Sequence, residues 1–344
     1  MSKPITNEVL PKDLREHRAV VAWNQLMPGR EEPAGIEILK LRNKSAVYRI
    51  AGIGPGGSAV IAKRCLTTTA RTEYAIHEEF LARLPIGALH CYGFLKEETG
   101  DFCWLFLEEA TGEPYSPLSA GHRALAGSWL ATIHAAAAGA GLESRLPARN
   151  PVHYLNLLKT SRGVFLQHLY NSELVSEDHR ALEAMVAHCD AMESRWSEVE
   201  DRCANMPRTL VHGDFVIKNV RVRALPDVAL LVFDWEAAAW GIPATDFAQF
   251  TGRTLSPDLT IYYSAMTALH YRPDLQAIQL MAEYGKLFRL IDDMHWVSQS
   301  MSFDTRELLL KPISYLMSYD RRMVEALKAM NWTRKESLMH QVAP

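Results

Sequence analysis

The sequence predicts an α+β chain, with strands at the front and helices behind. Before residue 110, apolar and polar residues alternate in short runs divided by turn signals. Beyond His122, apolar residues recur at helical spacing over long stretches. With 344 residues and a hydrophobic fraction of 48%, the chain suits two lobes better than one.

The elements follow in order. Residues Pro11 to Met27 carry Leu14, Val20, Val21, Trp23 and Leu26 at helical spacing, which predicts an amphipathic helix laid on the first lobe. PGREEPAG, from Pro28 to Gly35, breaks it. Three strand-like runs come next: IEILKL near Ile36, SAVYRIAGI near Ala46 and SAVIAKRC near Ala59. GPGG at Gly54 to Gly57 is a hairpin turn between the last two. Lys63 lies on the third run, and its neighbour Arg64 points to the opposite face. Arg71 to Leu84 is a predicted helix with Tyr74, His77, Leu81 and Leu84 in helical spacing, His77 being a packing or surface residue. HCYGFL and FCWLFLEEA are two further strands joined by KEETGD.

The second part is read as helices. His122 to Gly139 places Leu125, Trp129, Ile133 and Ala136 on one stripe, with His134 as a structural histidine. Helices are predicted from Val152 to Tyr170 and from Glu177 to Cys203. The acids of the latter, Glu183 to Asp201, read as a solvated face before they read as a cation pocket. From Ser256 onward three stretches show an apolar face, and the second contains Arg289, Asp292, Asp293 and His295.

Between these helices stands LVHGDFVIKN, from Leu210 to Asn219, followed by LLVFDWEAAAWG. It sets Asp214 on a tight loop, Asn219 beside it, and Asp234 at the end of an apolar strand. The short strands VRVRAL and DVALLVFD aim Asn219 and Asp234 at the same volume. Two carboxylates and an amide make a hard-oxygen site of the kind Mg²⁺ prefers. One such carboxylate can instead orient a hydroxyl and accept its proton.

HGDxxxxN followed by FDWE resembles the aminoglycoside phosphotransferase and choline kinase group, small-molecule relatives of protein kinases. The resemblance implies a two-lobed protein-kinase-like fold, with a small antiparallel-sheet N-lobe over 1–110 and a larger, mainly helical C-lobe over 111–344. It implies ATP and Mg²⁺ as cofactors. Asp214 falls on the catalytic aspartate, with His212 and Asn219 in the same loop. Asn219 and Asp234 fall on the metal ligands, and Lys63 on the lysine that contacts the nucleotide phosphates. Glu73 aligns best as the helix partner of Lys63, with Glu78 and Glu79 as competitors. Backbone groups around Glu108, Glu109 and Ala110 would meet the adenine edge. Asp246 would support the catalytic loop from behind, and Glu236 stands next to the metal aspartate.

The turn Arg42-Asn43-Lys44-Ser45 takes the place of the phosphate-covering loop but contains no glycine. Lys44 and Ser45 either reach phosphate or form an ordinary charged turn. HGD has no basic residue before the aspartate, which favours a small-molecule acceptor over a protein. The implied activity is transfer of the gamma phosphoryl group to a hydroxyl of a small metabolite or antibiotic. A protein or peptide kinase and an inactive nucleotide-binding regulator are the alternatives. Acceptor selectivity is expected from Val152–Cys203 and Ser256–Trp296, with a lean toward a less cationic compound than an aminoglycoside.

A net charge of -3 argues for neither a nucleic-acid partner nor a polybasic membrane anchor. The 5 cysteines form no CxxC pair and read as reduced, buried thiols. The start MSKPITNEVL shows no apolar signal segment. The expectation is a cytoplasmic monomer or homodimer with no membrane span.

Overall fold

Helix α1 (Arg18–Leu26) buries Ala19, Val20, Ala22 and Trp23 on the outer face of a five-stranded antiparallel sheet. The strands are β1 (Gly35–Arg42), β2 (Ser45–Ala51), β3 (Val60–Leu66), β4 (Cys91–Lys96) and β5 (Phe102–Glu108), in the order β1-β2-β3-β5-β4. The computed structural model describes residues 10–332, apart from 30, 31, 43, 225, 226 and 273. Asn43, in the predicted phosphate-covering turn, lies outside the described residues.

Strand alternation sorts the side chains of β2 and β3. Ala46, Tyr48 and Ile50 face α1, and so do Val60 and Ala62. Val47, Arg49, Ile61 and Lys63 face the other way, into a cleft. Lys63 pairs with Val47 on one side and Leu105 on the other. Arg64 turns to the opposite face, as its position predicts, and holds Glu97 at 2.6 Å.

Helix α2 (Thr67–Tyr74) starts ahead of the expected Arg71, because Asp101 O accepts the Thr67 N–H at 2.8 Å and strand passes directly into helix. The helix runs on as a widened π turn (Ala75–Phe80) and a tight turn (Leu81–Arg83). Glu73 and His77 are buried under the sheet.

The second lobe opens with β6 (Glu113–Pro114) and α3 (Ala120–Ala137), which Ser119 caps by accepting the His122 N–H. It continues through β7 (Ala148–Arg149), α4 (Pro151–His168), α5 (Ser176–Glu193) and α6 (Trp196–Ala204). The expected single helix from Glu177 to Cys203 is therefore two. At Arg195 the backbone leaves helical geometry (φ -113, ψ 12), which turns Trp196, Val199 and Cys203 into the core. Next come β8 (Thr209–Val211), β9 (Val220–Arg223), β10 (Ala229–Val232) and β11 (Ala239–Gly241). Two small sheets, β10-β9-β6 and β7-β11-β8, frame the HGD loop.

Helices α7 (Leu259–Ala268), α8 (Leu275–Gln299) and α9 (Arg306–Ala329) complete the lobe. Asp246 is not at the front of an α-helix. It lies in a short 3-10 turn, Pro243–Phe247, and is buried. Helix α8 crosses that turn at Gly285, where an added Cβ would meet Ala244 O at 2.0 Å. That close approach carries the next turn of α8, with Arg289, up to the HGD loop. Both histidines read as packing residues are buried, and His134 Nδ1 meets the Tyr262 hydroxyl at 3.2 Å. All five cysteines are buried and unpaired. Among the described residues no helix is long and apolar enough to cross a membrane.

Candidate active site

The HGD loop is fixed before any ligand arrives. Gly213 sits at φ +76, and an added Cβ there would meet Ala237 O at 2.3 Å, so only glycine fits. Buried Asp246 accepts the His212 N–H at 2.7 Å and the Gly213 N–H at 3.1 Å. The His212 ring accepts the Asp214 N–H at Nδ1 (3.2 Å), and Nε2 donates to Phe233 O (3.1 Å). Both ring nitrogens are thereby engaged by backbone groups. Through these two bonds His212, expected among the catalytic residues, joins the loop to the strand end that bears Asp234.

Asp214 is held at both oxygens. Its Oδ1 accepts from Arg289 Nη1 at 2.9 Å. Its Oδ2 lies 2.9 Å from Lys218 Nζ and accepts from Asn219 Nδ2 at 3.1 Å. Burial pushes the carboxyl up, but Arg289 and then Lys218 outweigh it and hold it down at about 2. Asn219 Nδ2 also donates to Asp214 O at 2.9 Å, which turns the amide oxygen away from Asp214.

Asp234 occupies the left-handed region (φ 65, ψ 61), where aspartate is among the tolerated residues. The turn brings its Oδ1 to 2.5 Å from Lys63 Nζ. Lys63 also donates to Glu73 Oε1 at 2.6 Å and lies 3.5 Å from Glu236. Burial disfavours the ammonium, yet Glu73, Asp234 and Glu236 together raise its pKa above the ordinary lysine value. Of the three competing glutamates, Glu73 is the one on Lys63. Glu78 accepts the Cys91 N–H at 3.2 Å, and Glu79 pairs with Arg145 at the surface.

Of these groups Lys63, Glu73, Lys218 and Asp234 border a cleft of about 530 Å³ between the lobes, and Asp214 adjoins it through Lys218. Leu39, Val47, Ile61, Leu107 and Phe233 give it apolar walls, and Lys40, Lys63, Lys218 and Asp234 line one end. Glu108, Glu109 and Ala110 border it as well. Glu109 is paired with Arg49 at 2.6 and 3.0 Å, and Glu108 Oε2 accepts the His90 N–H at 3.0 Å. Lys44 and Ser45 are not in the cleft wall, which takes Leu39, Lys40 and Val47 from that hairpin instead.

Sequence reasoning did not single out Lys218 or Lys40, and it named Arg289 and Asp293 only within the acceptor segment, not as the clamp on Asp214. Arg289 Nη2 lies 2.8 Å from Asp293 Oδ1, one helical turn on. A neighbouring buried pair, Arg149–Asp292, spans 2.5 Å beneath the loop, with Arg149 also donating to the Tyr154 hydroxyl at 2.8 Å. The available signal was charge on the buried stripe of an otherwise apolar helix. Among the described residues no cluster of three or more His, Cys, Asp or Glu is preassembled for a metal.

A profile of the phosphotransferase enzyme family, APH, matches residues 53–325. A spectinomycin phosphotransferase solved with ADP and spectinomycin superposes with a TM-score of 0.62 at 11% identity, over 88% of this chain and 94% of that one. An ethanolamine kinase from Plasmodium vivax gives 0.58 at 13% identity, over 91% and 88%. A choline kinase from Cryptosporidium parvum Iowa II gives 0.55 at 12% identity, over 87% and 91%. Nothing matches among curated proteins. At these identities the likeness speaks for the fold, which is the two-lobed protein-kinase-like one.

Proposed function

The chain belongs to the phosphotransferase enzyme family, and we propose that it moves the gamma phosphoryl group of ATP to a hydroxyl of a small molecule. The observation that carries this reading is one cleft lined by Asp234, the Lys63–Glu73 pair and Lys218, with Asp214, hydrogen-bonded to Asn219, 2.9 Å from the Lys218 ammonium. The apolar walls suit an adenine, with backbone groups from Glu108 to Ala110 at its edge. Lys63, kept charged and fixed by Glu73, would contact the inner phosphates.

The donor set fits Mg²⁺. Asn219 presents its amide oxygen away from Asp214, and Asp234 has a second carboxylate oxygen beyond the one on Lys63. Two protein oxygens suit an ion that takes its remaining ligands from phosphate and water. Such an ion, when bound, neutralises phosphate charge. Asp214 would orient the acceptor hydroxyl in line with the phosphorus and take its proton late, since a carboxylate held near 2 is a weak base. Three intact groups, Asp214, Asn219 and Asp234, favour turnover over a purely regulatory nucleotide site.

The charges around Asp214 point to an acceptor that is not polycationic. Arg289 and Lys218 already surround the carboxylate. Three acids of α5 and α6 are engaged elsewhere: Asp190 with Arg162, Glu193 with Lys159 and Glu198 with Arg195. ATP turnover over a panel of aminoglycosides, sugars, nucleosides and acidic alcohols tests the reading. Stimulation by neutral or acidic alcohols is expected. Stimulation by aminoglycosides alone would overturn the acceptor class, and ATP neither bound nor consumed would overturn the activity.

A further inference from the structure

Lys218 lies on the turn Ile217–Asn219, inside the motif but at a position that the motif leaves open. Its ammonium is 2.9 Å from Asp214 Oδ2, and the same side chain lines the cleft with Lys63 and Asp234. Among the described cleft-lining residues, it is the one that touches Asp214. Of the other cations of the site, Lys40 lies 3.9 Å from Glu236, and Lys63 and Arg289 are committed. Lys63 is buried and donates to Glu73 and Asp234. Arg289 directs Nε and Nη2 to Asp293 and Nη1 to Asp214. The Lys218 side chain is 56% exposed, and an ammonium has three donors, of which Asp214 takes one.

We infer that Lys218 is a catalytic residue that bridges Asp214 and the gamma phosphoryl group, holding base and phosphoryl in one frame. This rests on the function proposed above. The need is physical. The turn between β1 and β2, Arg42 to Ser45, has no glycine, so side-chain cations must supply charge that a glycine-rich backbone would otherwise provide. In the step, the acceptor oxygen forms a bond to the gamma phosphorus as the bond to the beta–gamma bridging oxygen breaks. ADP leaves with that electron pair, and the hydroxyl proton passes to Asp214. Once protonated, Asp214 attracts Lys218 less. The ammonium then shifts its contact to the transferred phosphoryl, whose equatorial oxygens carry charge throughout.

The test compares binding of ATP and of ADP, each with Mg²⁺, by calorimetry on the full chain. The expected result is that Lys218→Met weakens ATP about tenfold while ADP changes less than about twofold, because ADP lacks the group that Lys218 would touch. Lys218→Arg should restore most of the ATP preference. Acceptor-free hydrolysis of ATP should fall in K218M and recover in K218R. Equal losses for ATP and ADP would make Lys218 structural and overturn the inference, and so would an unchanged preference for ATP. If the unaltered protein binds neither nucleotide, the proposed function falls and takes this inference with it. If it binds both and only the K218M preference fails to change, the inference falls alone.

Discussion

Two buried cations organise the two ends of the site, and they are built differently. Lys63 joins Asp234 to Glu73 at 2.5 and 2.6 Å, and Arg289 joins Asp214 to Asp293 at 2.9 and 2.8 Å. In each, a motif carboxylate meets a basic side chain that a helix carboxylate holds in place. Lys63, on β3, must gather partners from two other elements, α2 and the turn after β10, and Asp234 is 171 positions away in sequence. Arg289 takes its anchor from its own helix, one turn along. The first clamp exists only while both lobes are in register. The second is oriented by α8 before it reaches Asp214. The nucleotide end thus depends on lobe closure, and the acceptor end stands preorganised on the larger lobe.

The largest expected effect comes from removing what the second clamp holds. Asp214→Asn should cut turnover by roughly 10²–10⁴-fold, the usual range for a lost general base, with ATP affinity largely kept. Near-full turnover at saturating ATP and acceptor would break the comparison at its acceptor end. Next is the anchor of the first clamp. Glu73→Gln leaves Lys63 buried with only Asp234 and the more distant Glu236, and breaking a buried pair costs about 3–5 kcal/mol. The denaturation midpoint should fall and the KM for ATP should rise. Glu78→Gln should do much less, since Glu78 only accepts one backbone N–H. A larger defect in E78Q would reassign the pair.

How much of this could be read in the sequence follows the same division. The residues of the first clamp were legible, because strand alternation turns Lys63 inward and the two motifs fix Asp214, Asn219 and Asp234 by spacing. The choice of Glu73 over Glu78 and Glu79 rested on register and needed the structure to decide it. Most of the helices follow from periodicity, and the two-lobed arrangement from the resemblance carried by the two motifs. Arg289 was legible as part of the acceptor segment but not as the partner of Asp214. It stands 75 positions from Asp214, on a helix whose register depends on Gly285 meeting Ala244, and no local pattern encodes that approach. The break at Arg195 was hidden for a related reason, since the acids of α5 and α6 continue one helical pattern across it. The ring contacts of His212 were not legible, because a motif names the residue and does not say which atoms its ring will bond.

A third test asks whether Arg289 sets the charge of Asp214. Burial alone would raise that carboxyl, and Arg289 is the first cation holding it near 2. Arg289→Gln should let it rise toward or past the ordinary carboxylate value. The sign follows from protonation. A depressed carboxyl stabilises the fold above its unfolded value and loses that contribution as pH falls through the folded one. In R289Q the loss should therefore begin at higher pH. The acid limb of the pH–rate profile should move upward with it, while Lys63-dependent ATP binding at neutral pH stays put. An acid limb that does not move would show that Lys218 suffices.

The smallest effect is expected at Asp293, and it separates the two anchors most sharply. Asp293 is less deeply buried than Glu73, with 17% of its side chain exposed against 0%. Water can replace part of what it gives, and Arg289 keeps its bond to Asp214 without it. Asp293→Asn also leaves an amide oxygen that can still accept from the guanidinium. The stability change should therefore be about 1 kcal/mol or less, the range for a partly exposed pair, against the several expected for Glu73→Gln. The effect on turnover should have a different origin. With Asp293 neutral, more of the Arg289 charge falls on Asp214, so an acceptor hydroxyl must compete harder for Oδ1. That predicts a KM for the acceptor raised a few-fold, an unchanged KM for ATP and a nearly unchanged unfolding midpoint. Steady-state kinetics in both substrates, with denaturant unfolding beside them, would check it. Were D293N to raise the KM for ATP as E73Q does, the two ends of the site would be coupled, and the acceptor clamp would depend on lobe closure as the nucleotide clamp does.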